Sequence, residues 1–289
     1  MATVVTVMNM KGGVGKTTVA AHIGGMLATY LFGGKRRNVL LIDYDAQFNL
    51  SQAWLPTRTY VDLETRRKTT LSILVDDPTS LNPYHLQVPD NAVPPRVADL
   101  AHVVYHPTSW RGKLAIVPST LDLMFVALAE PDQKTQVMEE RFAKFIAAAR
   151  EDFDVVIIDC HPAGSLFTKT ALRNSDHVII PVVPERYSIR GVGLMMRFID
   201  EKKPSLRAPV PHILFNRMPR AGVASQERAI RGDSHYTAKC LNETMRLFKV
   251  FSDPEEGSGF AWYSGKPHST RALQNLHNVT TEIVTRLNL

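Results

Sequence analysis

The stretch KGGVGKTT, Lys11 to Thr18, is read as a Walker A phosphate loop. Gly12, Gly13 and Gly15 allow the backbone to approach a ligand closely, so the N–H groups around Val14 and Gly15 can point at phosphate oxygens. Lys16 then meets the β- and γ-phosphates, Thr17 offers its hydroxyl to magnesium, and Thr18 closes the motif. Such a loop needs one lysine. Lys11, at its front, is a second and asks for its own explanation.

Carboxylates supply the other half of the chemistry. Asp43 and Asp45 lie in LLIDYDAQFNLSQ, and Asp159 ends VVIID. Acidic groups at the carboxyl ends of parallel strands face the crevice that a phosphate loop lines. One of them would hold magnesium, directly or through water, and another would orient an attacking water.

These groups need a scaffold that brings them to one edge. Short β-branched runs at Val4–Met8, Val39–Ile42, Leu114–Val117, Val155–Ile158, Val178–Val183 and Ile213–Phe215 read as strands buried on both faces. Helical patterns lie between them: Thr17–Leu31, stopping at Gly33-Gly34, then Gln136–Arg150 and Ser188–Glu201. The alternation implies an α/β fold, a doubly wound, mostly parallel sheet with helices on both faces. Residues 76–112 carry six prolines and no sustained period, and read as an irregular surface insertion. Ser269–Leu287 reads as a terminal helix packed on the core. Without a linker or repeat, residues 1–289 are expected to form a single domain.

Composition narrows the class. A hydrophobic content of 44% with 21% charged residues is that of a globular chain with a sizeable core. No apolar run reaches the ~18 residues of a membrane span, and the N-terminus lacks a signal-peptide pattern, so a cytoplasmic location is expected. Cys160 and Cys240 have no metal or redox spacing. Residues 1–180 hold 18 basic and 18 acidic side chains, whereas residues 181–289 hold 16 and 10 and so carry the whole net charge of +6. A basic C-terminal third suggests a polyanion, nucleic acid before membrane.

At this point the residues resemble a known family. KGGVGKTT is similar to the deviant Walker A box of the ParA/MinD ATPases, whose cofactors are ATP and Mg2+. LLIDYDAQFNLSQ resembles the family's D-x-D-P-Q-x-N segment, LAIVPSTLDLM its I-P-(A/S)-x-x-x-L turn, FDVVIIDCHPAG its Walker B segment, and VIIPVVPERYSIRGV and ILFNRM its next two strands. The resemblance implies that Lys11 is the signature lysine, reaching across an ATP-sandwiched homodimer to the partner's nucleotide. It makes Lys11, Lys16 and Asp45 the catalytic set, with Asp45 on the attacking water, Thr17, Asp43 and Asp159 near the metal, and Asn216 with Arg217 at the adenine. Three positions depart from the pattern: Ala46 for proline, Phe48 for glycine and His161 for proline, the last expected to have a local packing role.

Within the family, the tail STRALQNLHNVTTEIVTRLNL holds only Arg271 and Arg286, too few for a membrane-binding helix of the MinD kind. ParA-like function is therefore expected: an ATP dimer bound non-specifically to double-stranded DNA on the nucleoid, hydrolysing slowly when a ParB-like or other cargo-bound protein stimulates it. Candidate DNA contacts are Arg217, Arg220, Arg228, Arg231, Lys239, Arg246, Lys249, Lys266 and Arg271. The alternatives are a positioner of another cargo (chemoreceptors, a carboxysome, a conjugation complex) or a MinD-like division regulator. No room for a helix-turn-helix domain is expected ahead of the first strand.

Overall fold

The computed structural model describes residues 1–76, 88–107, 112–127, 135–160, 166–185, 188–202, 208–219, 222–251 and 265–289. Seven strands form one sheet: β1 (Thr3–Val7), β2 (Asn38–Tyr44), β3 (His102–Tyr105), β4 (Lys113–Val117), β5 (Val155–Cys160), β6 (His177–Val182) and β7 (Val210–Phe215). Their order is β3-β4-β2-β5-β1-β6-β7, parallel throughout except for the antiparallel β3–β4 edge.

The helices follow in chain order: α1 (Lys16–Thr29), α2 (Asn49–Trp54), α3 (Thr57–Thr65), α4 (Leu71–Leu74), α5 (Val97–Leu100), α6 (Leu123–Ala127), α7 (Thr135–Asp152), α8 (Leu166–Asn174), α9 (Ser188–Lys202), α10 (Ser225–Gly232) and α11 (Ser269–Leu287). They cover both faces of the sheet. In β2, Leu40 and Ile42 join one core with Phe142, Phe167 and Val192, while Val39 and Leu41 join the other with Val19, Met26 and Ile283. That alternation is the two-residue period of a strand, and both faces are apolar because both are covered.

The structure revises two sequence expectations. Gly33 and Gly34 do not end α1. That helix stops at Tyr30, whose backbone is extended. The glycines, at φ +61° and +75°, instead make a two-residue turn that brings Phe32 and Lys35 into antiparallel pairing, as two successive positive φ angles do in hairpins. Residues 76–112 are not irregular throughout: they contain α5 and the edge strand β3. Arg141 on α7 binds this region from beneath. Its guanidinium donates to the Ile73 carbonyl at 2.8 Å, the Asp76 carboxylate at 2.6 Å and the Asn91 carbonyl at 3.1 Å.

Tyr44, at the end of β2, is fully buried and stacks on Phe142 at 4.6 Å between ring centres, with Phe167 edge-on. Its hydroxyl donates to Thr170 Oγ1 at 3.0 Å, since Thr170 gives its own proton to the carbonyls of Leu166 and Phe167. Phe142→Ala is expected to lower the unfolding free energy by about 3–5 kcal/mol through cavity and lost transfer. Tyr44→Phe is expected to cost about 1 kcal/mol, one hydrogen bond with the ring kept. Urea denaturation distinguishes the two, and equal losses would show that ring packing does not dominate here.

Candidate nucleotide-binding site

The chain leaves β1 and turns through residues 8–15 into α1. Met10 stands where the Walker A pattern has its first glycine, so the strict spacing is not met. Backbone freedom comes instead from Gly13 and Gly15, at φ +73° and +82°. Gly15 admits nothing larger: a Cβ there would lie 2.4 Å from the amide nitrogen of Asn216. No side chain caps α1, and its first turn holds no acidic residue. Its first N–H groups are therefore available to an anion, with the positive end of the helix dipole behind them.

Asn216, at the end of β7, braces this loop from below. Its Nδ2 donates to the Val14 carbonyl at 2.8 Å, and its Oδ1 accepts from the Arg217 N–H at 2.8 Å. Asn9, which the sequence reading did not single out, braces the front. It donates to the Pro181 carbonyl at 2.7 Å and accepts from the Lys11 N–H at 3.0 Å. The two lysines diverge. Lys16 Nζ lies 3.5 Å from the Lys11 carbonyl, the outer limit of a hydrogen bond, whereas Lys11 Nζ forms an ion pair with Glu185 after β6.

Strand register sets two of the carboxylates side by side. Asp43 on β2 is level with Asp159 on β5. Asp43 Oδ2 accepts from the Ser51 N–H at 2.8 Å and the Ser51 hydroxyl at 2.6 Å. Burial, then the neighbouring Asp159, pushes the Asp43 carboxyl well above the usual range. Asp159 is raised to about 7 by burial. The Thr17 hydroxyl pulls it back, Asp45 adds to the rise, and Lys16 opposes it. Asp159 Oδ2 is buried without a hydrogen-bond partner. An orphaned carboxylate oxygen beside a threonine hydroxyl is a donor set that fits magnesium, directly or through its waters. Asp45 is half-buried. Its Oδ1 accepts from the Gln47 N–H at 2.9 Å, and its carbonyl accepts from the Ser119 hydroxyl at 2.6 Å.

Phe48, one of the departures, caps α2 with φ +44° and stacks on Tyr60 at 5.2 Å. Glycine suits that left-handed position, and the ring contact offsets its strain in Phe48. A cavity of about 750 Å3 opens there, beside Thr17 and Thr18 and against Phe251. It lies on the Phe48 side of α1, and Asn216 is not among its lining residues.

The basic candidates fall into two groups. Arg231 is a cross-link: it pairs with Glu227 at 2.8 Å, donates to the Leu241 and Asn242 carbonyls, and covers the Phe215 ring. Lys239 donates to the His235 carbonyl, and Lys266 is half-buried. Arg217, Arg228, Lys249 and Arg271 are exposed. Residues 244–247 run beside 215–218 through the Met218–Arg246 bridge, and Asn275 ties that ribbon to α11, so Arg217, Arg246 and Arg271 gather near the end of β7. Arg220 and His161 lie outside the described residues.

This fold and site define a P-loop nucleotide-binding protein. Residues 2–210 match the AAA domain family. The chain is 30% identical over 200 residues to the sporulation initiation inhibitor protein Soj of Bacillus subtilis, covering 69% of this chain and 65% of that protein's length. It therefore spans a little under two thirds of that relative. Its fold is similar to the AMPPNP-bound plasmid partition protein of Borrelia burgdorferi, with a TM-score of 0.67 at 18% identity over 96% of this chain and 97% of that one. It is also similar to pNOB8 ParA bound to nonspecific DNA, with a TM-score of 0.62 at 20% identity over 100% and 99%. The chain belongs to the ParA/MinD family of ATPases.

The unfolded Asp159 carboxyl loses its proton near pH ~4 and the folded one near about 7. Across that window the native state binds more protons, so stability falls as pH rises. Asp159→Asn is expected to stabilise the metal-free protein by on the order of 4 kcal/mol at pH ~8 and by less than half of that at pH ~5; a pH-independent difference in denaturation would contradict this origin. Arg231→Ala is expected to cost about 1–3 kcal/mol and Arg228→Ala, exposed on the same helix, under about 0.5 kcal/mol. Thermal unfolding of the two variants checks that ordering.

Proposed function

We propose that this chain is an ATP-dependent switch: it binds ATP with Mg2+, closes into a homodimer, binds double-stranded DNA without sequence preference, and hydrolyses ATP to segregate a plasmid or chromosome. The observation that carries the reading is the division of labour between the two lysines. Lys16 stays on its own phosphate loop, while Lys11 is turned out to a neighbouring loop and is not committed to that site. A lysine free to leave its loop suits a trans contact, where a second cation stabilises charge on the transferring phosphoryl group.

On this reading the uncapped start of α1, with Gly12 to Thr18, holds the phosphates, and Asn216 and Arg217, beside that loop at the end of β7, would meet the base. Magnesium would be held by Thr17 and Asp159 with Asp43 behind, and would polarise the phosphate oxygens. Asp45 orients the water. Arg217, Arg228, Arg246, Lys249 and Arg271 meet DNA phosphates, which need only cations. A ParB-like cargo protein triggers hydrolysis, and the monomers then leave the nucleoid. Among the described residues no helix is long and apolar enough to cross a membrane. The apolar face of α11 (Leu276, Ile283, Leu287) is buried in the core, which argues against a MinD-like membrane helix.

Binding to random-sequence duplex DNA is expected with ATP but not ADP. Lys11→Ala or Lys16→Ala should reduce it at least about tenfold, and raising salt should weaken it steeply as counterion release fades. Nucleotide-independent binding would overturn the switch.

A further inference from the structure

We propose that Glu185 is a latch that holds Lys11 in cis and sets the threshold for nucleotide-dependent dimerisation. The inference rests on the reading that Lys11 acts across a dimer, and adds the residue that opposes it.

The latch is built from anchored backbone on both sides. Lys11 is fixed by its N–H to Asn9, and Asn9 by its amide to the Pro181 carbonyl on β6. Glu185 is fixed at the start of α9: its N–H donates to Ser188 Oγ at 2.7 Å and to the Val183 carbonyl at 2.9 Å, and the Ser188 N–H returns to the Glu185 carbonyl at 2.9 Å. Both side chains therefore leave rigid points beside the same strand end, which lowers the entropy lost in pairing. Yet their side chains are 49% and 58% exposed. An ion pair this open is weak and screened by salt. It biases Lys11 without trapping it.

The competition is stoichiometric. One ammonium cannot be neutralised by Glu185 and also cross to a partner's phosphates. An exposed pair of this kind favours the latched form by about two- to fivefold. That ratio leaves about a third to a sixth of the protomers with Lys11 unlatched, and two latches open per dimer, so removing them tightens the dimer by roughly nine- to thirty-six-fold. Glu185 is thus a positioning residue, acting through Lys11.

The test is the dimer dissociation constant with AMPPNP by sedimentation, at about 50 mM and about 500 mM salt. Glu185→Gln is expected to tighten the dimer by that factor at low salt and by much less at high salt. Glu185→Asp, which keeps the charge on a shorter arm, should fall between. In the Lys11→Ala background Glu185→Gln should change nothing. AMPPNP affinity measured at concentrations too low for pairing should match wild type, which a merely structural defect would not allow. If wild type dimerises and Glu185→Gln is no tighter, or the gain persists without Lys11, the latch is overturned. If wild type itself stays monomeric with AMPPNP, the dimer reading falls, and the latch with it.

Discussion

The sheet edge depends on how closely the phosphate loop approaches β7. Gly15 sits over the Asn216 amide with no room for a Cβ, and that amide holds the Val14 carbonyl. Asn216 is itself held to β6 by its N–H to the Val182 carbonyl. Bracing the loop from behind, through a carbonyl, leaves the N–H groups in front unspent. A side-chain cap on α1 would have satisfied those donors and closed the anion site. The left-handed backbone of Gly15 and the buried Asn216 are thus one device, and they also set where Arg217 leaves the sheet.

The second constraint is electrostatic. Parallel pairing of β2 and β5 sets two carboxylates side by side in an apolar interior. Such groups resist ionising together, and only cations or donors relieve them. Asp43 is relieved by Ser51. Ser51 Oγ in turn accepts from the Ser119 N–H, and Ser119 donates to the Asp45 carbonyl. This chain of hydrogen bonds ties β2, α2 and the turn after β4 to the backbone of Asp45, the residue proposed to hold the water. Asp159 keeps one oxygen unsatisfied, and the magnesium expected with ATP would answer it. Asp159 and Asp45 act on each other through space, the Asp45 charge adding to the rise of the Asp159 carboxyl.

Phe48 shows how a departure from the family pattern is absorbed. A non-glycine residue in the left-handed region costs about 1–2 kcal/mol. Stacking of the Phe48 ring on Tyr60 returns about 0.5–1.5 kcal/mol beyond its burial. The two nearly cancel. The result is an aromatic wall beside α1 that a glycine would not build.

Much of this was legible in the residues. β-branched runs marked six of the seven strands, because a strand buried on both faces is apolar at every position. The terminal helix keeps the bounds its apolar spacing implied, Ser269–Leu287. The glycines and Lys16 marked the phosphate loop, since few other sequences bring backbone N–H groups to one point. β3 escaped notice: four residues without a clear period pair with Leu114, Ala115 and Ile116 of β4, which the fold brings beside them. Arg231 read as a surface cation until the fold set it against Glu227 and Phe215. Nothing in the chain announced that Lys11 pairs with Glu185, a contact across 174 positions. Local spacing encodes which face a side chain takes and how the backbone turns. Which charges end up facing one another is decided by strand register and by loops that meet only after the sheet has closed.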